Sequence, residues 1–227
     1  MLLLPSNRFQ WLRLSALFLV CAVIAYFNRT QCAFLVPRLP ILYHYIRYVP
    51  QEGDVVFQPL PHNDLVDAIE GITHSPYSHC GVVLRNDKDQ WVVIESIGDV
   101  HETSLFSWMF RGRGGNFAAY RLDSKYSPLI PEFKKYLLSY LGRPYDFNYN
   151  MKDDSTVYCS DLVYLAFYKA SGEQMGTLEK LGDLDWKPYE QFIRSEQGGG
   201  LPLDRLMITP AALARASQLH KVYPGNF

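Results

Sequence analysis

The sequence has few cysteines, almost no net charge and no dense run of basic residues, and each shortage excludes a class of protein. Its 227 residues include four cysteines without a C-x-x-C pair, which argues against a zinc ribbon or a disulfide-stapled secreted domain. A formal net charge of −1 offers no electrostatic surface for nucleic acid. A metal site built from His79, Cys80 and Cys159 lacks a fourth ligand. We therefore predict no metal, no cofactor and no nucleic-acid partner, whereas the oligomeric state stays open.

An apolar segment near the N-terminus is the first organised feature of the chain. Residues 16–27 are uninterrupted apolar residues, and Arg8 and Arg13 precede them. A cationic start followed by such a run is typical of an export signal or of a retained anchor. The run is shorter than the ~20 residues of a usual bilayer crossing, but Trp11 and Leu12 can extend it. We favour a retained transmembrane signal-anchor that holds the domain outside the cytoplasm, in the periplasm or cell envelope, with cleavage as the alternative.

The rest of the chain divides into a connector and one domain. Residues 1–30 form the anchor or signal segment, residues 31–50 a proline-containing connector, and residues 51–227 the folded domain. The chain is 48% hydrophobic and 15% aromatic, which is the apolar content of a globular protein, and its length suits one sizeable domain with an appendage.

Cys159 stands at the start of a predicted buried helix. The apolar run at residues 162–167 marks the helix, Ser155 and Thr156 offer N-cap hydroxyls before it, and Gly172 is a plausible end. In the first turn several backbone N–H groups lack an intrahelical acceptor and the helix dipole favours negative charge, so a thiolate is stabilised there. The pattern fits a nucleophilic cysteine, and it also fits an inert buried one.

A histidine and a glutamate are predicted to meet upstream of this helix. Two apolar strands flank a short polar turn and should pair antiparallel. If the turn centres on Asp87, His79 lies directly opposite Glu95, where the carboxylate can accept the imidazole N–H. Glu95 follows a run of apolar residues, and a carboxylate drawn into such a setting needs a partner. A slip of one residue in the register would separate the two side chains.

Strand patterns and helix patterns in separate blocks predict an α+β fold, with an antiparallel sheet packed against the nucleophile helix. A helix at residues 131–141 has proline at its start and glycine after its end. A last helix starts at Thr209 and Pro210, as cap and first helical residue. Further strands are predicted at residues 55–57 and 117–122.

Six motifs, in order, resemble one known family. The chain is similar to the YiiX/YebB-like permuted papain-type cysteine hydrolases, relatives of the NlpC peptidases in which circular permutation puts the histidine before the cysteine. The resemblance implies a circularly permuted papain-like fold of the NlpC type. The matching motifs lie at residues 53–58, 73–81, 94–98, 140–147, 158–163 and 201–210.

The resemblance implies a Cys-His-Glu triad, with Cys159 as nucleophile, His79 as base and Glu95 as the residue that orients the imidazole. The implied chemistry is acyl transfer through a thioester on Cys159, resolved by water. The resemblance also implies that the chain is an enzyme, namely an amidase-like or peptidase-like cysteine hydrolase.

Three further residues are predicted to bind substrate. Tyr145 and Tyr158 lie in matching motifs and can line the groove, although packing explains their aromatic bulk equally well. Asp161 stands where the family usually has glutamate, and its side chain is shorter by one methylene. If that carboxylate must reach a substrate amine, the shorter side chain alters substrate preference.

The expected function is a cell-envelope cysteine hydrolase that cleaves an amide or ester bond in a peptide or lipid. The first alternative is a lipid acyltransferase or thioesterase of the same fold, which the membrane segment favours. The second is a catalytically silent binding module, and the presence of all three triad residues argues against it.

Overall fold

A computed structural model describes Ser15, residues 17–20, residues 44–151 and residues 153–225. The chain divides into two compact units, Met1–Val49 and Pro50–Phe227. Most of the predicted anchor and connector lies outside the described residues. No helix among those that are described is long and apolar enough to cross a membrane. The bounds proposed for anchor, connector and domain stay predictions.

The second unit contains short strands and helices, and its main sheet is antiparallel, which confirms the α+β expectation. Its elements in chain order are β1 (Val55–Gln58), α1 (Asp64–Thr73), β2 (His79–Arg85), β3 (Trp91–Ile97), β4 (Asp99–Ser104), α2 (Leu105–Arg111), β5 (Ala118–Leu122), α3 (Ile130–Ser139), α4 (Cys159–Ser171), β6 (Glu179–Lys180), α5 (Glu190–Glu196), β7 (Leu206–Met207), α6 (Pro210–Ala214) and β8 (Leu219–Tyr223).

Among the described residues, six strands form one sheet in the order β4-β3-β2-β1-β5-β8, and all neighbours are antiparallel. The strands predicted at residues 55–57 and 117–122 and the helix predicted at 131–141 are therefore confirmed within one or two residues. The last predicted helix is confirmed as well, since the Thr209 hydroxyl accepts the Ala212 N–H and Pro210 is the first helical residue.

The register between β2 and β3 differs from the predicted one. Gly81, and not His79, lies opposite Glu95, because the pairing is centred on Lys88 rather than on Asp87. The predicted register is thus wrong by two residues. Since side chains alternate between faces with a period of two, this shift leaves His79 and Glu95 on the same face as diagonal neighbours.

The two faces of the sheet have different coverings. Cys80, Val82 and Ile94 point into the hydrophobic core, where α4 supplies Leu162 and Val163. The opposite face carries the remaining side chains of β2 and β3, including the predicted base and its carboxylate, and α2 packs there. The antiparallel sheet packed on the nucleophile helix is therefore confirmed.

Helix α4 begins at Cys159 and ends at Ser171, with Gly172 just past its last turn as predicted. Gly172 has a left-handed backbone with φ of 73°, which an L side chain adopts only with strain, and its N–H bonds to the Tyr168 carbonyl. The predicted N-cap hydroxyls of Ser155 and Thr156 are wrong, because the N-cap is Tyr158 and no side chain caps this end. The helix start therefore keeps its backbone donors unused by a capping side chain.

Candidate active site

Cys159 is the first residue of α4 and is only 3% exposed. Cys159 and His79 line the wall of the same cavity. Two side chains at the helix start tie this end of α4 to the segment before α6: Ser160 Oγ donates to the Ile208 carbonyl at 2.8 Å, and the Ile208 N–H donates to the Tyr158 hydroxyl at 3.0 Å. The nucleophile candidate is thus held by a rigid element and faces the predicted base.

The contact between His79 and Glu95 is direct. Nε2 of the imidazole lies 2.5 Å from Glu95 Oε2, and both side chains are almost fully buried. The carboxylate can only accept, so Nε2 carries the proton and Nδ1 is the nitrogen left to face the Cys159 sulfur. Trp108 packs against the imidazole, with ring centroids 6.3 Å apart. The structure therefore bonds His79 directly to Glu95 and places Cys159 and His79 in the wall of one cavity.

Glu95 has two more donors that the sequence did not reveal. The Thr103 hydroxyl donates to Oε1 at 2.5 Å, and Nη2 of Arg111 bonds to Oε2. Thr103 lies on β4 and Arg111 in the last turn of α2, neither of which was predicted as an element. Arg111 follows an apolar run ending at residue 110 and stands 16 positions from Glu95, so no local pattern connects the two.

These contacts set the protonation states of the site. The hydrogen bond from the Cys80 thiol and the contact with His79 hold the pKa of Cys159 well below its ordinary value, although burial opposes this. Burial alone would lower the pKa of His79, but hydrogen bonds with Cys159 and Glu95 raise it to about 9. Together these two pKa shifts favour a Cys159 thiolate and a His79 imidazolium at neutral pH.

The carboxylate stays ionised despite its full burial. Burial by itself would raise the pKa of Glu95, but the hydrogen bond with His79 and the charges of His79 and Arg111 lower it to about 2. Cys80 behaves in the opposite way to its neighbour, since burial raises its pKa well above the ordinary thiol value. Of the two sulfurs, Cys159 is therefore the anionic one.

Cys159 lines two cavities. One encloses about 90 Å³ and is walled mainly by apolar side chains of α1, α5 and the segment around β7. The other, about 270 Å³, also contains His79 in its wall, together with Ser78 and Ser96. A carbonyl group placed at Cys159 would therefore have space on both sides of its scissile bond.

The predicted substrate-binding residues fall into two groups. Tyr145 lines both cavities, and Tyr158 lines the smaller one beside Cys159. Asp161 is fully buried and does not line these two cavities, and neither of its carboxylate oxygens has a hydrogen-bond partner among the described residues. Burial, with the charges of Asp146 and Asp154 after it, raises the pKa of Asp161 to about 8. A substrate-binding role for these three residues stays a prediction.

A cysteine at a helix start, facing a histidine of an antiparallel sheet that is itself bonded to a carboxylate, defines the papain-like class of cysteine hydrolases. The histidine precedes the cysteine in the chain, as circular permutation requires. A family model described as the permuted papain-like amidase enzyme, YaeF/YiiX, C92 family, matches residues 49–223, and the chain belongs to this family. Membership implies a cysteine hydrolase of amidase or peptidase type, acting on an amide bond.

Two relatives illustrate the membership. The uncharacterized protein YiiX of Escherichia coli strain K12 is 34% identical over 179 residues, which cover 76% of this chain and 86% of that protein. A crystal structure of YiiX from Escherichia coli O157:H7 superposes with a TM-score of 0.73 at 30% identity, and the match covers 79% of this chain and 99% of that one.

The solved relative is described as a metalloprotein. In the part of this chain that the structure describes, no group of three or more His, Cys, Asp or Glu side chains is arranged to hold a metal ion. The donor set around Cys159 therefore does not fit a metal centre.

Proposed function

We propose that this protein hydrolyses an amide or ester bond through a thioester on Cys159, with His79 as acid and base and Glu95 as the group that orients the imidazole. The observation that carries the proposal is that Cys159, at a helix start, lines the same cavity as His79, whose imidazole is bonded to Glu95. An inert buried cysteine needs neither the histidine nor the carboxylate.

The chemistry follows from the placement of these groups. The Cys159 thiolate attacks the carbonyl carbon, and N–H groups of the first turn of α4 stabilise the oxyanion. The imidazolium of His79 protonates the departing nitrogen or oxygen, and the C–N or C–O bond breaks to leave a thioester. Neutral His79 then takes a proton from water, which attacks the thioester and releases the acid. Glu95 holds the imidazole in the orientation that both proton transfers need.

Site-resolved labelling of the four cysteines with iodoacetamide between pH 5 and 8 tests the proposal. A thiol with an ordinary pKa near 8.5 is less than about 1% ionised at pH 6, so we expect Cys159 to label about 100-fold faster than such a thiol there. His79→Gln should remove most of this advantage and Glu95→Gln a smaller part.

Matched variants exist for both positions. His74→Gln changes an exposed histidine, and Glu102→Gln changes an exposed carboxylate on β4, and neither should alter the labelling of Cys159. If Cys159 labels no faster than an ordinary thiol, or if the triad variants behave like these controls, the proposal fails.

The smaller cavity favours a second candidate function, action on a fatty acyl amide or ester. Its wall beside Cys159 is built from Leu65, Ile69, Ile72, Phe192, Ile193 and Met207, and it offers few partners for a polar peptide. An acyl chain in this space would put its carbonyl at Cys159, while the leaving group would occupy the cavity that contains His79. Transfer of the acyl group to an added amine would identify a transferase.

Acyl-chain length provides the test. We expect the protein to hydrolyse a 4-nitrophenyl decanoate faster than the acetate, and Ile193→Trp to reduce kcat/KM for the decanoate about tenfold or more. Keeping two methylene groups from apolar burial costs about 1.6 kcal/mol, which corresponds to that factor. Gln191→Trp adds the same side chain to an exposed position of the same helix. Equal effects of the two variants, or no preference for the longer chain, would rule out an acyl-binding cavity.

We also propose that the N-terminal apolar segment holds the domain at a membrane, outside the cytoplasm. The support is the cationic start followed by the apolar run at residues 16–27. Cell fractionation with protease protection tests the location. Recovery of the protein in the cytosolic fraction would contradict it.

A further inference from the structure

One arginine in the wall of the smaller cavity has no carboxylate partner. Arg205 lines this cavity together with Cys159. Every other arginine between residues 50 and 225 has a carboxylate oxygen within 4.0 Å of its guanidinium. Arg205 has no such ion pair with any residue that the structure describes, and its only side-chain hydrogen bond there is to Gln197. A positive charge without a counter-ion therefore stands beside the nucleophile candidate.

The guanidinium of Arg205 is held in place. Its Nη2 donates to the side-chain oxygen of Gln197 at 2.6 Å, and Gln197 Nε2 donates to the Phe147 carbonyl at 3.3 Å. The backbone is fixed on both sides, because the Arg205 N–H bonds to the Pro202 carbonyl and the Leu181 N–H bonds to the Arg205 carbonyl, each at 3.0 Å. A guanidinium has five N–H donors, and within the described part of the chain a single one is used. The remaining donors are available to a ligand.

Two carboxylates of this region leave the guanidinium unpaired. Asp146 accepts the backbone N–H groups of Asn148 and Asn150, and Glu196 is an exposed residue that also lines the cavity. Neither carboxylate lies within 4.0 Å of the guanidinium. Burial lowers the pKa of Arg205, which is the effect of removing a charge from water, but arginine stays charged at neutral pH.

A second donor belongs to the same wall. The hydroxyl of Tyr149 is buried and has no hydrogen-bond partner among the residues described. The Tyr149 ring packs against those of Tyr145 and Tyr158, with centroids 6.3 and 5.1 Å away. Burial raises the pKa of Tyr149, so its hydroxyl keeps the proton that it can donate. A mostly apolar cavity with a few unsatisfied donors is suited to an apolar ligand that ends in an acceptor group.

We propose that Arg205 determines specificity by binding a carboxylate on the acyl part of the substrate, so that the preferred substrate is a monoamide or monoester of a dicarboxylic acid with an apolar chain. The inference rests on the proposed function, because it places the reacting carbonyl at Cys159. The acyl part is assigned to the smaller cavity because His79, which protonates the leaving group, lines the other one.

The charge of the wall favours a carboxylate over a phosphate ester. A guanidinium fork matches the two oxygens of a carboxylate, which carries a single negative charge. A phosphate monoester carries nearly two negative charges at neutral pH, and Glu196 in the same wall would repel the excess.

The strand geometry sets the length of the acyl chain. Ile208 accepts the Ser160 hydroxyl beside the nucleophile, and Arg205 stands three positions earlier, directly before β7. At ~3.3 Å per residue, the Cα atoms of Arg205 and Ile208 are up to roughly 10 Å apart. Leu206 is exposed, whereas Arg205 lines the cavity. Chains of six to ten carbons span a comparable distance.

Calorimetric titration of the full chain with Cys159→Ala tests the proposal without turnover. The ligands are the monoamides of the linear six-, eight- and ten-carbon dicarboxylic acids, each beside the simple amide of the same chain length. Arg205→Met removes the charge and Arg205→Lys keeps it without the fork. Arg194→Met is the matched control, since Arg194 is an exposed arginine of α5 that pairs with Glu190.

We expect at least one acid monoamide to bind about tenfold or more tightly than its neutral partner, as for a hydrogen bond between charged groups. Arg205→Met should abolish this preference, Arg205→Lys should retain part of it, and Arg194→Met should leave it unchanged. Absence of the preference, its persistence in Arg205→Met, or no binding of any ligand would overturn the inference. Equal or tighter binding of an amide with a phosphate ester at the same end would overturn the choice of a carboxylate.

Hydrolysis is measured separately, as kcat/KM of the wild type for 4-nitrophenyl esters of the same acids. Binding with the expected preference but without ester hydrolysis would contradict the proposed function alone. Hydrolysis of both ester series at equal rates, with equal binding of the amides, would overturn the role of Arg205 and leave the proposed hydrolysis standing.

Discussion

At the scale of single residues, the most demanding feature is a carboxylate with no solvent exposure. Glu95 remains charged because His79, Thr103 and Arg111 all donate to it, and burying an ionised carboxylate without such partners costs several kcal/mol. The Arg111 side chain is 30% exposed, so this ion pair joins a partly exposed guanidinium to a buried carboxylate. The guanidinium competes with the imidazolium for the same carboxylate and so limits how strongly Glu95 stabilises protonated His79.

Replacement of Arg111 should therefore change the pKa of His79. In Arg111→Gln a positive charge near the imidazolium disappears, so we expect the pKa of His79 to rise from about 9 by up to about one unit, the partial exposure of Arg111 limiting the effect. Arg111→Lys keeps the charge and should stay near the wild type. Arg113→Gln removes a nearby arginine that pairs with Glu70 instead, and serves as the control.

Titration of the imidazole by two-dimensional NMR of nitrogen-labelled histidine measures this pKa directly. A fall in the pKa of His79, or equal values in the two glutamine variants, would contradict the electrostatic role given to Arg111.

At the scale of elements, the pairing of β2 with β3 determines whether the site can form. Gly81 lies opposite Glu95, and a Cβ at this position would stand 2.5 Å from Val93 Cγ1 and 2.8 Å from the Ile94 carbonyl oxygen. The missing side chain leaves room for Glu95 to lean along the sheet towards its diagonal neighbour His79. Glycine is needed here for close approach between strands rather than for an unusual backbone angle.

Gly81→Ala should both destabilise the domain and disturb the site. We expect a loss of about 1–3 kcal/mol in the free energy of unfolding, because the added methyl overpacks the sheet. Labelling of Cys159 at pH 6 should slow as the contact between His79 and Glu95 is strained. Urea unfolding and iodoacetamide labelling measure the two effects.

Gly200→Ala is the matched control, since its nearest atom to a new Cβ is 3.5 Å away, an ordinary contact. Its stability should change by no more than about 0.5 kcal/mol. If the two alanine variants have the same free energy of unfolding, the close approach of the strands at Gly81 does not contribute to stability.

At the scale of the whole molecule, one buried acid ties global stability to pH. Both oxygens of Asp161 lack hydrogen-bond partners among the described residues, and the pKa of this group is raised to about 8 by burial first and then by neighbouring negative charges. In the unfolded chain the same carboxyl has a pKa near 3.9. Between these values the folded protein holds a proton that the unfolded chain has lost, so stability falls as pH rises from about 4 to about 8.

Asp161→Asn should remove this dependence. We expect the Tm of the variant relative to the wild type to increase steadily between pH 5 and pH 8. In this range unfolding of the wild type releases the Asp161 proton, or the folded wild type must bury the charged carboxylate, whereas the neutral amide of the variant does neither. Asp153→Asn changes an exposed carboxylate whose pKa is lowered chiefly by its hydrogen bonds with Ser155, so its effect should be constant over this range. Thermal unfolding at several pH values measures both. A difference for Asp161→Asn that does not grow with pH would contradict the protonated state.

Local pattern was enough for much of this protein. Apolar periodicity, a C-cap glycine and a short polar turn act over a few residues. They were enough to place Cys159 at a helix start, to put the C-cap of that helix at Gly172 and to pair the two central strands antiparallel. The same patterns missed β4 and α2. β4 is polar at every position except the buried Val100 and so has no apolar run, and α2 is only seven residues long.

The family motifs in the sequence determined the permuted papain-like class and the candidate trio Cys159, His79 and Glu95. Only the tertiary structure decided the register that makes His79 and Glu95 diagonal neighbours, the ion pair of Arg111 with Glu95 and the cavity that Cys159 shares with His79. The physical reason is the sequence separation of the residues involved. Propensity and periodicity record what a residue needs from its neighbours in the chain, whereas these contacts join elements that the chain brings together only when it closes its core.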